Sequence, residues 1–254
     1  MEIKPFLIGI TLVVIFVLES AFPHYRNRVS RVRHALPHVL TAIMNGLLTR
    51  FALAGLTTGV ISWAQGLSPL PRGLGRLPAG AGPILIFLLF DIWMYCWHMA
   101  NHRITFLWRF HRAHHSDTEM DTTTALRFHP GELILSTLAR LPVVVLLGMS
   151  FVQLVIFETI LNLSTLFHHS NLAVPEKGDR LLRTVVVTPN MHRVHHSVER
   201  SETDSNFTSI LSFWDRLFRT FRTREDTRSI IIGLPQFREK RYQRLRGFLI
   251  TPFL

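Results

Sequence analysis

The feature that most constrains this chain is the length of its apolar runs. A hydrocarbon core about 30 Å thick is crossed by roughly 20 helical residues, and the stretch from Leu133 to Phe167 is far too long for one crossing. Gly148 and Ser150 near its middle predict two helices, over 131–148 and 150–168, joined by a tight turn as a helical hairpin whose arms can fall short of full crossings. Three further spans are expected. The first covers 5–22, where Phe6 to Leu18 is interrupted only by Gly and Thr; with Lys4 as the only cation before it and no small-residue cleavage site after it, it reads as a retained span rather than a signal peptide. The second covers 38–64 and contains Asn45 and Arg50, which should face protein or an interface rather than lipid. A Gly- and Pro-rich connector, 65–82, leads to the third, over 83–101, opened by Pro83. The expected fold is an all-α, polytopic membrane helical bundle of about four crossings, with residues 1–254 forming a single integral membrane domain.

Composition agrees with this and excludes other classes. The chain is 48% hydrophobic and 18% charged with a mean hydropathy of +0.24, oilier than an ordinary soluble domain. The net charge of +11 could suggest a nucleic-acid partner, but a phosphate-binding face must be water-exposed, and the long apolar runs argue against one. Cytoplasmic loops beside membrane spans retain Lys and Arg and meet anionic lipid head groups, which accounts for the excess. Cys96 is the only cysteine, so neither an internal disulfide nor a thiolate metal site is available.

Orientation follows from the arginines. Arg26, Arg28, Arg31 and Arg33 follow the first span, whereas only Arg72 and Arg76 precede the third. The four-arginine loop is therefore expected in the cytosol. Counting from there, 102–130 and 170–254 form a cytosolic helical cap and basic tail, and every histidine cluster falls on that one side.

The chemistry is carried by histidine. Of 14 histidines, 11 lie between His98 and His196, and eight of these group as His98 with His102, then His111, His114 and His115, then His192, His195 and His196. The last two groups are both H-x-x-H-H, a coincidence expected by chance roughly once in a thousand chains of this composition. On a helix, positions i, i+3 and i+4 share a face, so each triplet can aim three rings at one point, and His98 with His102 adds an i, i+4 pair. Neutral imidazole is the commonest metal ligand, and eight rings without a cysteine could serve two ions of a borderline metal such as iron or zinc. The competing reading is surface histidine on basic helices, beside Arg109, Arg112 and Arg193. His24, His34 and His38 stand apart and read as solvated or capping residues.

A second pattern ties the clusters to the spans. Asp91, Tyr95, His98 and His102 form one helical stripe, and Glu158, Asn162, Thr165 and His169 repeat its spacing. His169 ends its stripe where the hairpin meets the cytosol and is a ninth candidate ligand, whereas His168 points about 100° away. Carboxylates within spans normally face a partner. Asp91 and Glu158 could fix the tautomer of a ligating imidazole, or pair with Arg50 or Arg140 to orient helices, and both roles stay open.

These residues resemble the fatty acid hydroxylase and sterol desaturase superfamily of membrane diiron enzymes. The resemblance rests on D-x-x-x-Y-x-x-H-x-x-x-H from Asp91 to His102, W-R-F-H-R-A-H-H-S from Trp108 to Ser116, R-F-H-P-G-E from Arg127 to Glu132, F-H-H-S-N from Phe167 to Asn171 and T-P-N-M-H-R-V-H-H-S from Thr188 to Ser197. It extends through N-F and W-D-R-L-F to Phe218 and so covers roughly residues 83 to 222. It implies that His98, His102, His111, His114, His115, His169, His192, His195 and His196 hold two iron ions, with zinc able to replace them in purified protein. His129, His168, Asn171 and Asn190 join Asp91 and Glu158 as further ligands or partners of ligands. The family often has Gly where this chain has Thr208 and Arg219, which leaves the ligands intact and bears on the geometry of the covering loop.

The resemblance also implies the reaction: O2-dependent hydroxylation, or desaturation, of a lipid such as a fatty acyl chain or sterol that enters from the bilayer. No nucleotide-binding, haem-type or iron–sulfur motif occurs in the chain, so the electrons must come from a separate donor protein or reductase. Arg222, Arg224, Arg228, Arg241, Arg244 and Arg246 are expected to meet anionic lipid or an acidic donor, or to form a solvated basic surface. A zinc-dependent membrane hydrolase or isomerase using metal-bound water is the alternative enzyme. A non-catalytic metal transporter would need ligands along a transmembrane path rather than gathered at one face.

Overall fold

The computed structural model describes residues 3–26, 30–64 and 80–254. Arg28 and most of the expected connector, with Arg72 and Arg76, lie outside the described residues. Among the described residues there is no strand, only helices and three isolated bridges. Among the described residues five helices are long and apolar enough to cross a membrane: α1 Ile3–Ala21, α2 Arg31–Ala64, α3 Ala81–Arg103, and two that follow a short α4 Thr105–His115, namely α5 Pro130–Leu147 and α6 Phe151–His168. Large side chains on them face outward; Phe6 is 66% exposed, Val13 62% and Val17 60%, a surface that water would not tolerate but lipid would. The chain is an all-α membrane protein.

The hairpin forms where its turn residues place it. Gly148 ends α5 in the left-handed conformation (φ +60°), and Ser150 opens α6 by accepting from the Gln153 N–H while the Gln153 side chain accepts from the Ser150 N–H. Arg140 and Glu158 then face each other across the two arms at 3.1 Å, and Lys4 on α1 completes the group at 2.5 Å from Glu158. The second helix starts seven residues earlier than its expected beginning at 38, with Pro37 in its second turn. The extra turns are held by tertiary contacts: His34 bridges Asp117 and Asp121 at 2.9 and 3.0 Å, and His38 meets Thr123 at 3.0 Å. Asn45 donates to the Phe128 carbonyl at 2.8 Å, while Arg50 lies exposed in a π-helical turn, Thr49–Leu53.

All five long helices bring one end to the same polar layer. Glu19, near the end of α1, accepts from the backbone N–H groups of Thr122 and Asn171. The start of α2 meets residues 117–123, α3 ends on His102 and Arg103, α5 begins just after His129, and α6 runs into His169. Beneath this layer Ile61, Ile86, Phe90, Val144, Leu154, Phe157 and Ile210 form an apolar core. Around it lie α4 and short helices: α7 Glu176–Leu182, α8 Pro189–His195, α9 Arg200–Thr203, α10 Phe213–Leu217 and α11 Leu245–Ile250. The C-terminal turn is strapped to α4, where Arg112 donates to the carbonyls of Thr251 (2.8 Å) and Leu254 (2.6 Å).

Candidate metal centre

Nine imidazoles converge in two adjacent groups. His98, His102, His111, His115 and His195 form the first, and His114, His169, His192 and His196 the second; within each, one ring nitrogen per residue lies within 4.8 Å of all the others. The two H-x-x-H-H triplets do not each aim at one point. Residues i and i+4 lie only about 40° apart around a helix, but i+3 and i+4 are about 100° apart. His111 and His115 therefore enter the first group while His114 enters the second, and on α8 His192 and His196 enter the second while His195 enters the first. Each triplet serves both groups, and the two groups share the walls formed by α4 and α8.

The decisive geometry is between nitrogens. His98 Nδ1–H donates to the Phe207 carbonyl (2.7 Å) and His111 Nδ1–H to Glu132 (2.6 Å), so the Nε2 of each ring carries a lone pair. Those two Nε2 atoms face each other at 3.1 Å. In the second group His169 donates from Nδ1 to the Thr165 carbonyl and His114 to the Arg127 carbonyl, and their Nε2 atoms face each other at 3.0 Å. Two lone pairs at that separation repel, and a shared proton or a metal ion reconciles the arrangement. Metal–imidazole bonds of about 2.1 Å put neighbouring ligand nitrogens about 3 Å apart when they meet at right angles, and the facing pairs measure 2.9 to 3.2 Å. His102 Nε2 and His195 Nε2 are buried without any hydrogen-bond partner, as ligands awaiting an ion would be. The donor set fits two ions of a borderline metal.

Electrostatics agree. Burial, then neighbouring imidazoles, holds His114, His115, His192, His195 and His196 well below the usual histidine range, and burial brings His169 down to about 4. Neutral rings are the form that binds metal. A third set, His34, His38 and Asp121, is close enough to be compared with these but differs in kind. Both nitrogens of His34 are taken by Asp117 and Asp121, and those of His38 by Thr123 and the Arg127 guanidinium. It is a buried ionic network joining α2 to the cap. His34 and His38, expected as solvated or capping residues, are instead half-buried and buried, His34 received by the carboxylates of Asp117 and Asp121 and His38 by Thr123 and Arg127.

The remaining candidates stand apart from the two groups. His129 caps α5: its Nδ1 accepts from the Gly131 N–H and its Nε2 donates to the Leu249 carbonyl, which leaves no nitrogen for an ion. His168 is buried, with its ring 4.1 Å from that of His192, but belongs to neither group. Asp91 accepts from the Trp214 indole at 2.8 Å, and Glu158 pairs with Arg140 and Lys4, so each orients helices or loop rather than an imidazole. Asn171 exchanges hydrogen bonds with the Tyr25 backbone, and Asn190 accepts from Arg193. The carboxylate that does reach a ring is Glu132, with Asp204 3.4 Å from His102 Nδ1. Helical spacing from the spans could not point to Glu132, because it lies on α5 beyond a reversal of the chain; its signal was the R-F-H-P-G-E stretch.

A loop covers the first group. The carbonyls of Ser205 and Phe207 accept from His195 and His98, and Asp215 holds that loop through the N–H groups of Phe207 and Thr208 and the hydroxyls of Thr208 and Thr220. Phe207 is fully buried against His98, His102 and His195 and keeps water from their rings.

Comparison with known proteins accords with this arrangement. Residues 83–220 match the model of the family described as Fatty acid hydroxylase. The chain belongs to that family. Among curated relatives, it is 32% identical to an alkylglycerol monooxygenase of Danio rerio over 153 residues, which are 59% of this chain and 32% of that protein. It is 24% identical to the cholesterol 25-hydroxylase of Rattus norvegicus over 80% of this chain and 66% of the relative, and 28% identical to an ornithine lipid hydroxylase of Rhizobium tropici over 59% and 45%. The chain thus spans about a third of the alkylglycerol monooxygenase. No solved structure matches it. All nine expected ligands lie inside the matched segment.

Proposed function

We propose that this protein is a membrane-bound non-haem diiron oxygenase that hydroxylates a lipid drawn from the bilayer. The observation that carries the reading is the convergence of imidazole nitrogens in two adjacent groups, His98, His102, His111, His115 and His195 beside His114, His169, His192 and His196. The names of the relatives, all hydroxylases or monooxygenases of lipids, favour hydroxylation over desaturation.

Two iron ions held by these rings would supply the activation of O2 needed to break an unactivated C–H bond. The net reaction converts R–H, O2, two electrons and two protons to R–OH and water. The residues of this chain bind, orient and shield. Glu132 and the carbonyls of Phe207, Ser205, Thr165 and Arg127 fix each Nδ1–H so that the opposite nitrogen faces inward. Phe207, Tyr95 and Phe90 exclude water on the side toward the apolar core. The chain forms one membrane domain with spans near 5–22, 38–64, 83–101, 131–148 and 150–168, and its cap and tail, 102–130 and 170–254, lie in the cytosol with Arg26, Arg31 and Arg33. A separate protein delivers the electrons, and tail arginines not engaged by Glu202 or Glu239 meet anionic head groups.

Lipid analysis of cells expressing the chain under 18O2 tests this. The expected result is one labelled oxygen in a lipid product, absent for His114→Ala. A product without label, or full activity of purified protein that contains zinc and no iron, would contradict it.

A further inference from the structure

The two imidazole groups are backed differently. In the first, Glu132 Oε1 accepts from His111 at 2.6 Å and two short carbonyl contacts of 2.7 Å hold His98 and His195, while His102 Nδ1 is buried without a hydrogen-bond partner, 3.4 Å from an Asp204 that pairs with Arg200. In the second, only neutral carbonyls serve, at 2.8 Å for His169 and 3.2 Å for His114, while the Nδ1 atoms of His192 and His196 are buried without a hydrogen-bond partner. Asp117, whose charge reaches His169 and His196, is already engaged by His34 and Thr124. Glu132 is itself buried, and its second oxygen, Oε2, has no hydrogen-bond partner. A carboxylate so placed needs a cation, and its hydrogen bond leads through His111 to the first group.

We infer that Glu132 is a positioning residue that makes the two metal sites unequal: the five-imidazole site, backed by this carboxylate, fills first and holds its ion more tightly than the four-imidazole site. The inference rests on the diiron reading. A carboxylate behind a ligating imidazole raises its basicity and locks its orientation, and removing such partners typically weakens metal binding 10–100-fold. Five rings against four act in the same direction.

The experiment is an anaerobic titration of the metal-stripped, full-length protein in detergent with 57Fe(II), followed by Mössbauer spectroscopy. Two quadrupole doublets are expected, one complete at one equivalent and the second growing only afterwards. In Glu132→Gln, which preserves shape and still accepts from Nδ1–H, the first doublet should change its splitting and bind 10–100-fold more weakly, while the second keeps its parameters. The unchanged second doublet also reports that the variant is folded. Simultaneous filling of both sites in the unmodified protein overturns the inference without recourse to any variant, as does a Glu132→Gln titration indistinguishable from it. A protein that binds no iron defeats the diiron reading instead, which separates the two failures.

Discussion

Arg219 shows how single residues shape the covering loop. It sits at φ +61°, in the left-handed region that favours glycine, at a place where the family often has glycine. The backbone fold of the loop is kept because Thr220 N–H donates to the Asp215 carbonyl at 2.7 Å, at the expense of local strain. Arg219→Gly should therefore stabilise the protein by about 1 kcal/mol, read as a higher midpoint of thermal unfolding in detergent. The other departure, Thr208, donates its hydroxyl to Asp215 at 2.6 Å, so this chain replaces the flexibility of a glycine with an added hydrogen bond. The cap histidines predict the response to acid. The folded, metal-free protein keeps His114, His115, His169, His192, His195 and His196 neutral where a free imidazole titrates near 6.5. Below that pH the unfolded chain binds more protons than the folded one, so stability is complete above 6.5 and falls as the pH drops toward the folded-state values, about 4 for His169. A denaturation series from pH 7.5 to 5 should show a steady loss that bound metal opposes; a flat profile would mean the rings are not held neutral. Which histidines gather was legible in the sequence because spacing fixes which rings share a helix. Their partition was not, since it depends on how two helices face each other, and Glu132 was hidden by the chain reversal that separates it from His111.

At the scale of elements, the hairpin turn was readable residue by residue and the start of α2 was not. Gly148 and Ser150 encode their own geometry, so Ser150→Ala should destabilise by about 1 kcal/mol through loss of the capping pair with Gln153. The first turns of α2 carry Arg31, Arg33, His34 and Pro37, which no apolar pattern would call helix; they are helical because Asp117 and Asp121 receive His34 and because Arg31 pairs with Glu19. The C-terminal strap depends on one close approach. A Cβ on Gly247 would stand 1.9 Å from the Arg241 carbonyl oxygen, so Gly247→Ala must displace α11. The expected cost is about 1–3 kcal/mol, with faster proteolysis after Arg241 or Arg244 as α11 lifts from α2 and the following turn from α4; unchanged digestion would mean that the strap is not held there.

The whole molecule joins two solvents. Helices with outward apolar surfaces end together at a polar layer whose buried atoms without a hydrogen-bond partner cluster at the imidazole groups. The fold class and the gathering of all clusters at one end followed from span lengths and histidine positions, because both are properties of helices that alternate direction. The ionic network around His34, Asp117 and Arg127 could not be read in advance, since its members come from stretches far apart in the chain whose meeting is decided by packing. The account stands on two ions lying between facing nitrogens. Crystals of iron-loaded protein measured on both sides of the iron absorption edge would place them directly. Two anomalous peaks per chain are expected, one about 2.1 Å from the ring nitrogens of each group. A single peak, no peak, or iron held by residues outside the two groups would contradict it.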